Sequence, residues 1–157
     1  MSQTHIDSDK IIKQRNFEIF VLTTRIFFAF QTALSFIFFF FNFGTGVATG
    51  NENIFAATWS VTTIIEALIW IIGFGLWWAS LVISIIANNI SAQTKSPARG
   101  LAIASMVLAI VSFIPILSTV IHIAGIVVSG ILISKLNKFA TKGNHVVEVE
   151  AKESNDA

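Results

Sequence analysis

The chain has 157 residues, 54% of them hydrophobic and only 12% charged, with a mean hydropathy of +0.76. Values this far from those of water-soluble domains point to lipid as the surrounding solvent. The ten Lys and Arg never gather beyond Lys10, Lys13 and Arg15, which argues against a nucleic-acid partner, and a sequence without cysteine excludes disulfide frameworks, thiolate metal sites and thiol catalysis.

Residues 1–16 form a charged lead, predicted to lie in the cytoplasm. Around its end, Ile11, Ile12, Phe17 and Ile19 interleave with Lys13, Arg15 and Glu18. That pattern suits either an amphipathic helix on the inner membrane surface or a plain extension of the first span. The membrane domain follows over 17–136. Residues 26–43 carry no charge and are dense in Phe, long enough to cross about 30 Å of hydrocarbon, and the first span is placed at about 20–43. A signal peptide is the competing interpretation, since Gly46 and Ala48 follow the apolar run. The charged lead is too long for one, and the run exceeds an h-region of roughly 7 to 15 residues.

The next apolar run holds one ionisable group, Glu66, and predicts a tilted span over about 60–87 closed by Asn88 and Asn89. Ser96 and Pro97 suit the cap and first turn of a third span over 98–113. Pro115 removes a backbone donor and disfavours helix at Ile114, so a tight hairpin leads into a fourth span over 118–135. Residues 137–157 mix Lys, Glu, Gly, Asn and Ser without helical periodicity and are predicted to be a disordered cytoplasmic tail.

Charge placement selects the crossing number. The lead and first-span entry hold Lys10, Lys13, Arg15 and Arg25; the second inner gap holds Lys95 and Arg99; the tail holds Lys135, Lys138 and Lys142. The gap over 44–57 and the Pro115 turn hold no Lys or Arg. Four spans keep every basic residue on the cytoplasmic side, whereas three would export the tail. The expected fold is therefore all-α: an integral membrane four-helix antiparallel bundle with both termini inside.

Helix association in lipid relies on small and polar residues. Each span carries such a stripe at helical spacing: Thr24, Gln31, Ser35 and Asn42; Glu66, Gly73, Ser80, Ser84 and Ala87; Ala98, Ala102, Ser105, Ala109 and Ser112; Ser118, His122, Gly125 and Ser129. Pairing across the Pro115 turn sets Ala109 opposite His122 and Ser105 opposite Gly125, with Ser105 or Ser112 as hydrogen-bond partners for His122.

Away from the span ends, Glu66 and His122 are the candidate intramembrane polar sites. Taking Asn88 as the inner end puts Glu66 about 33 Å outward, near the outer headgroups. A packing or interfacial carboxylate is weighed there against a proton or ion site, and for His122 a hydrogen-bonded packing histidine against a proton relay. Arg25 reads as an inner anchor snorkelling to phosphates and Trp59 as an outer interfacial anchor. His5, His122 and His145 are too scattered for a metal site, no catalytic motif is present, and no cofactor is implied.

The stretch Gly100-Leu-Ala-Ile-Ala-Ser-Met-Val-Leu-Ala-Ile-Val, followed by a turn and Ile126-Val-Val-Ser-Gly-Ile-Leu-Ile, resembles a small helical-hairpin domain of unknown function found in bacterial membrane proteins. The resemblance covers 100–135 and implies a bacterial cytoplasmic-membrane protein, without supplying an active residue. The expected function is that of an accessory or structural membrane protein, not an enzyme. It would act on a membrane-protein partner or as a homo-oligomer, through intramembrane helix contacts or its tail. The alternative is an oligomeric small-solute or proton-coupled transporter or channel using Glu66 and His122.

Overall fold

A computed structural model of the protein describes the backbone over 8–96, 98–112 and 118–155, and side chains over 9–141 within those limits. Among the described residues the chain is all-helical: α1 (Ser8–Thr49), α2 (Glu52–Gln93), α3 (Arg99–Val111) and α4 (Ser118–Asn155). Three of these are long and apolar enough to cross a membrane, and α3 is a shorter apolar helix. Each helix packs against two others, α1 against α2 and α4, and α3 against the same two. Pro97 and the Pro115 turn lie outside the described residues.

Several helix ends differ from the expected ones. α2 starts at Glu52 rather than near residue 60, because the Asn51 side chain caps it, accepting from the backbone N–H of Asn53 at 3.0 Å and of Ile54 at 3.4 Å. Gly50, at φ 56°, supplies the left-handed turn residue between α1 and α2. Asn88 and Asn89 do not close α2. It runs to Gln93, where the Thr94 N–H bonds back to the Ile90 carbonyl and Lys95 takes the left-handed conformation at φ 47°. Ser96 is not the cap residue of α3, which follows Ala98; its hydroxyl accepts instead from the Ala98 N–H at 3.2 Å. α4 continues to Asn155, past Asn137, where an irregular tail was expected; neither of the two prolines falls in this stretch to interrupt the helical ladder.

The helices have unequal reach. α1 and α2 each measure about 63 Å at 1.5 Å per residue, whereas α3, with 13 residues, measures about 20 Å, less than a hydrocarbon thickness. The expected third span is therefore too short to cross by itself. Its end is marked by Trp77, whose indole N–H donates to the Ala109 carbonyl at 3.2 Å and to Ser112 Oγ at 3.1 Å. From Trp77, α2 extends about 37 Å more toward Glu52, accompanied among the described helices only by α1. Trp77→Phe removes both hydrogen bonds and should loosen α3 from α2 by about 1 kcal/mol, measurable as a lower unfolding midpoint in detergent.

The small-residue stripes describe the helix contacts well. Thr24, Gln31 and Asn42 are buried, as are Gly73, Ser80, Ser84 and Ala87, the full set on α3 from Ala98 to Ser112, and His122, Gly125 and Ser129; Ser35, Glu66 and Ser118 are half-buried. Along the α1–α2 seam, Asn42 Nδ2 donates to Thr62 Oγ1 at 2.7 Å. At the opposite end, Ile11, Ala98, Ala102, Leu132, Leu136 and Ala140 form a small apolar core joining α1, α3 and α4. The outward flanks carry the large side chains, including Phe30, Phe36, Phe40, Ile71, Phe74, Val107, Val120 and Val127, all exposed as lipid-facing residues are.

Candidate functional site: a buried charged cluster in the bundle

One face of α1 presents Gln14, Glu18, Val21, Arg25 and Phe28, spaced by three and four residues so that they share a side of the helix. All five are buried. Arg25, only 3% exposed, is turned into the bundle. Its Nη1 donates to the Gly125 carbonyl and to Ser129 Oγ, each at 2.6 Å, and its Nη2 donates to the Ser105 carbonyl at 2.6 Å. A single guanidinium thus ties α1 to α3 and α4, using the forked donor geometry that lysine lacks.

Glu18, 1% exposed, answers that charge from two turns below on α1. Its Oε2 accepts from Ser105 Oγ at 3.0 Å, and Ser105 Oγ lies 3.5 Å from Ser129 Oγ. Ser105 therefore contacts both ions, its hydroxyl facing the carboxylate and its carbonyl facing the guanidinium. Opposite charges linked in this way offset part of the cost of removing each from water. Glu18 Oε1 and both amide atoms of Gln14 have no hydrogen-bond partner among the described groups.

The space for Arg25 comes from Gly125. A Cβ built there would lie 2.7 Å from Arg25 Nε and 2.8 Å from Cδ and Cζ. The glycine is required by the close approach of a side chain, not by its own backbone angles. Next outward, His122 stacks on Phe28 with ring centroids 4.9 Å apart and an 8° interplanar angle. Neither expected serine bonds it: Ser112 Oγ donates to the Ala109 carbonyl, Ser105 is engaged with Glu18, and His122 Nδ1 has no partner.

The four residues singled out in the sequence fall in different places. Arg25 does not snorkel to the surface, because three acceptors inside the bundle hold it there. His122 sits one turn outward of Gly125 on α4 and belongs to the same core. Glu66 is separate, half-buried on α2 in a shallow cleft with Gln31, Leu34, Ser35, Ile69 and Trp70. α2 continues about 21 Å beyond it to Glu52. Trp59 is 44% exposed near the Glu52 end of α2, with its ring 5.6 Å from that of Phe55. Glu18 and Gln14 were missed as site residues. Their signal was the continuation of the Arg25 face into the charged lead, where Glu18 looked like a solvated residue. Among the described residues no group of three or more His, Asp and Glu is arranged to hold a metal ion.

Comparison of the chain with known protein families, with curated proteins and with solved structures finds no match.

Proposed function

We propose that this is an accessory or structural protein of a bacterial cytoplasmic membrane, acting through helix contacts within the bilayer. The carrying observation is how the buried charges are used. Arg25 makes three hydrogen bonds to α3 and α4, and Ser105 closes the link to Glu18, so this chemistry holds helices together rather than lining a path. Glu66 and His122, which a proton-coupled transporter would need in sequence, sit against different neighbours, one on Gln31 and Trp70 and the other on Phe28.

In the membrane placement that goes with this reading, the hydrocarbon begins near Arg25 and ends near Gly46 and Trp59. The Phe-rich outer halves of α1 and α2 then lie in lipid, and Trp59 meets the outer interface. Lys10, Lys13, Arg15, Lys95, Arg99, Lys135 and Lys138 fall on the cytoplasmic side, together with both termini. α3 and α4 enter from that side as a hairpin shorter than a full crossing, in keeping with the length of α3 of about 20 Å. The parity of the chain is the same as for four spans.

Purified protein reconstituted into liposomes under a pH gradient should leave the internal pH unchanged relative to empty vesicles. Flux abolished by Glu66→Gln or His122→Ala would overturn the accessory reading in favour of the transporter.

A further inference from the structure

Inward of Arg25 the bundle interior holds a second set of polar side chains, and these lack partners. Gln14, Glu18, Ser84 and Ser91 are each 0–1% exposed. Both amide atoms of Gln14, Oε1 of Glu18 and the two serine hydroxyls have no hydrogen-bond partner among the described groups, nor does the buried Oδ1 of the half-buried Asn88. Leaving such groups buried and unpaired is costly.

The five residues share one level of the bundle. Along the α1–α2 seam Asn42 donates to Thr62 and Gln31 Oε1 lies against Gly73, so 11 positions inward on α1 correspond to 11 inward on α2. Continued inward, that register sets Gln14 level with Ile90 and Glu18 level with Ile86, within one turn of Ser84, Asn88 and Ser91. Those three are spaced by four and three residues and lie on the face of α2 that carries Gly73 against α1.

The mixture of groups selects the ligand. Glu18 Oε1 and Asn88 Oδ1 only accept, Gln14 Nε2 only donates, and the hydroxyls do either. A cation would satisfy the oxygens but strand the Gln14 N–H groups, with the Arg25 charge two turns away opposing it, and an anion would face the Glu18 carboxylate. Water both donates and accepts. We infer that ordered water molecules are bound here between α1 and α2, bridging Glu18 Oε1 to Gln14, Ser84, Asn88 and Ser91. The unpartnered atoms suffice for about two waters, since a buried water makes roughly three hydrogen bonds. Ser105 then solvates one carboxylate oxygen of Glu18 and water the other. Asn88, half-buried, is the point of exchange with the outside. In the membrane placement proposed above it lies on the aqueous side of Arg25, so no hydrocarbon intervenes. The inference goes beyond the accessory reading and is independent of it, because water bridges these helices whether or not the chain conducts.

Water-edited solid-state NMR of the isotope-labelled full chain in lipid bilayers reads the site. Magnetisation from water should reach Gln14 Cδ and Nε2, and the Cβ atoms of Ser84 and Ser91, roughly threefold faster or more than it reaches the methyl groups of Leu132 and Leu136. Those leucines are the matched control: both are 0% exposed, and they stand level with Gln14 and Glu18 because Arg15 meets Asn137 and Arg25 meets Ser129 across the α1–α4 seam. Ser84→Ala combined with Ser91→Ala removes two bridging partners and should slow transfer to Gln14 roughly twofold, with helical content by circular dichroism unchanged. The native-chain comparison decides alone should the double variant fail to fold. Transfer to Gln14 no faster than to the leucines, or a Gln14 rate untouched in the folded double variant, would overturn the inference. A Gln14 Nε2 to Glu18 Cδ contact without water transfer would do so as well, by showing that the two side chains satisfy each other.

Discussion

Arg25→Met should destabilise the folded bundle by about 3–5 kcal/mol, since it leaves the buried Glu18 without the positive charge linked to it through Ser105. The guanidinium also supplies three hydrogen bonds across two helix interfaces, so α4 should loosen from α1 along with it. The double variant Glu18→Leu with Arg25→Met should recover most of the loss, because a matched apolar pair removes both desolvation costs together. Unfolding in mixed micelles, followed by tryptophan fluorescence, measures each variant. A single Arg25→Met variant as stable as the parent would show that the cluster does not hold the helices.

Gly125→Ala should cost about 1–3 kcal/mol, although alanine is the better helix former by about 1 kcal/mol. Its methyl would stand within 2.8 Å of three Arg25 side-chain atoms, and Arg25 cannot swing aside without giving up acceptors on Gly125 and Ser105. Gly130→Ala is the internal control: it lies on the same helix with nothing within 4 Å of the added atom, so it should be neutral or stabilising. The two sites also differ in coupling. In an Arg25→Met background the Gly125→Ala penalty should fall, whereas the Gly130→Ala effect should be unchanged. Equal effects at both glycines would dissociate Gly125 from the charged cluster.

Much of the helix packing was legible because it depends on periodicity. Serines 80, 84, 105, 112 and 129 are buried where a helical stripe of small residues would place them. The same logic extended inward would have exposed Gln14, Glu18 and Arg25 as one face. That face is not evident from spacing alone, since a charge at the edge of an apolar run ordinarily reaches water. Glu66 stood out as the one ionisable group in its apolar run, with its expected position measured from a helix end at Asn88, whereas α2 runs on to Gln93.

The amino-acid sequence by itself determined the apolar segments and the faces along which they associate, and it carries the spacing of basic residues on which the proposed orientation rests. These follow from composition and local spacing. Only the tertiary structure decided where the helices stop, how far α3 reaches, and that Arg25 and Glu18 turn inward. Helix ends depend on caps such as Asn51, and on backbone conformations such as that of Lys95, against which local propensity is weak. The acceptors of Arg25 lie 80 to 104 positions away in the chain, so its orientation is settled by which helices become neighbours, not by residues beside it in sequence.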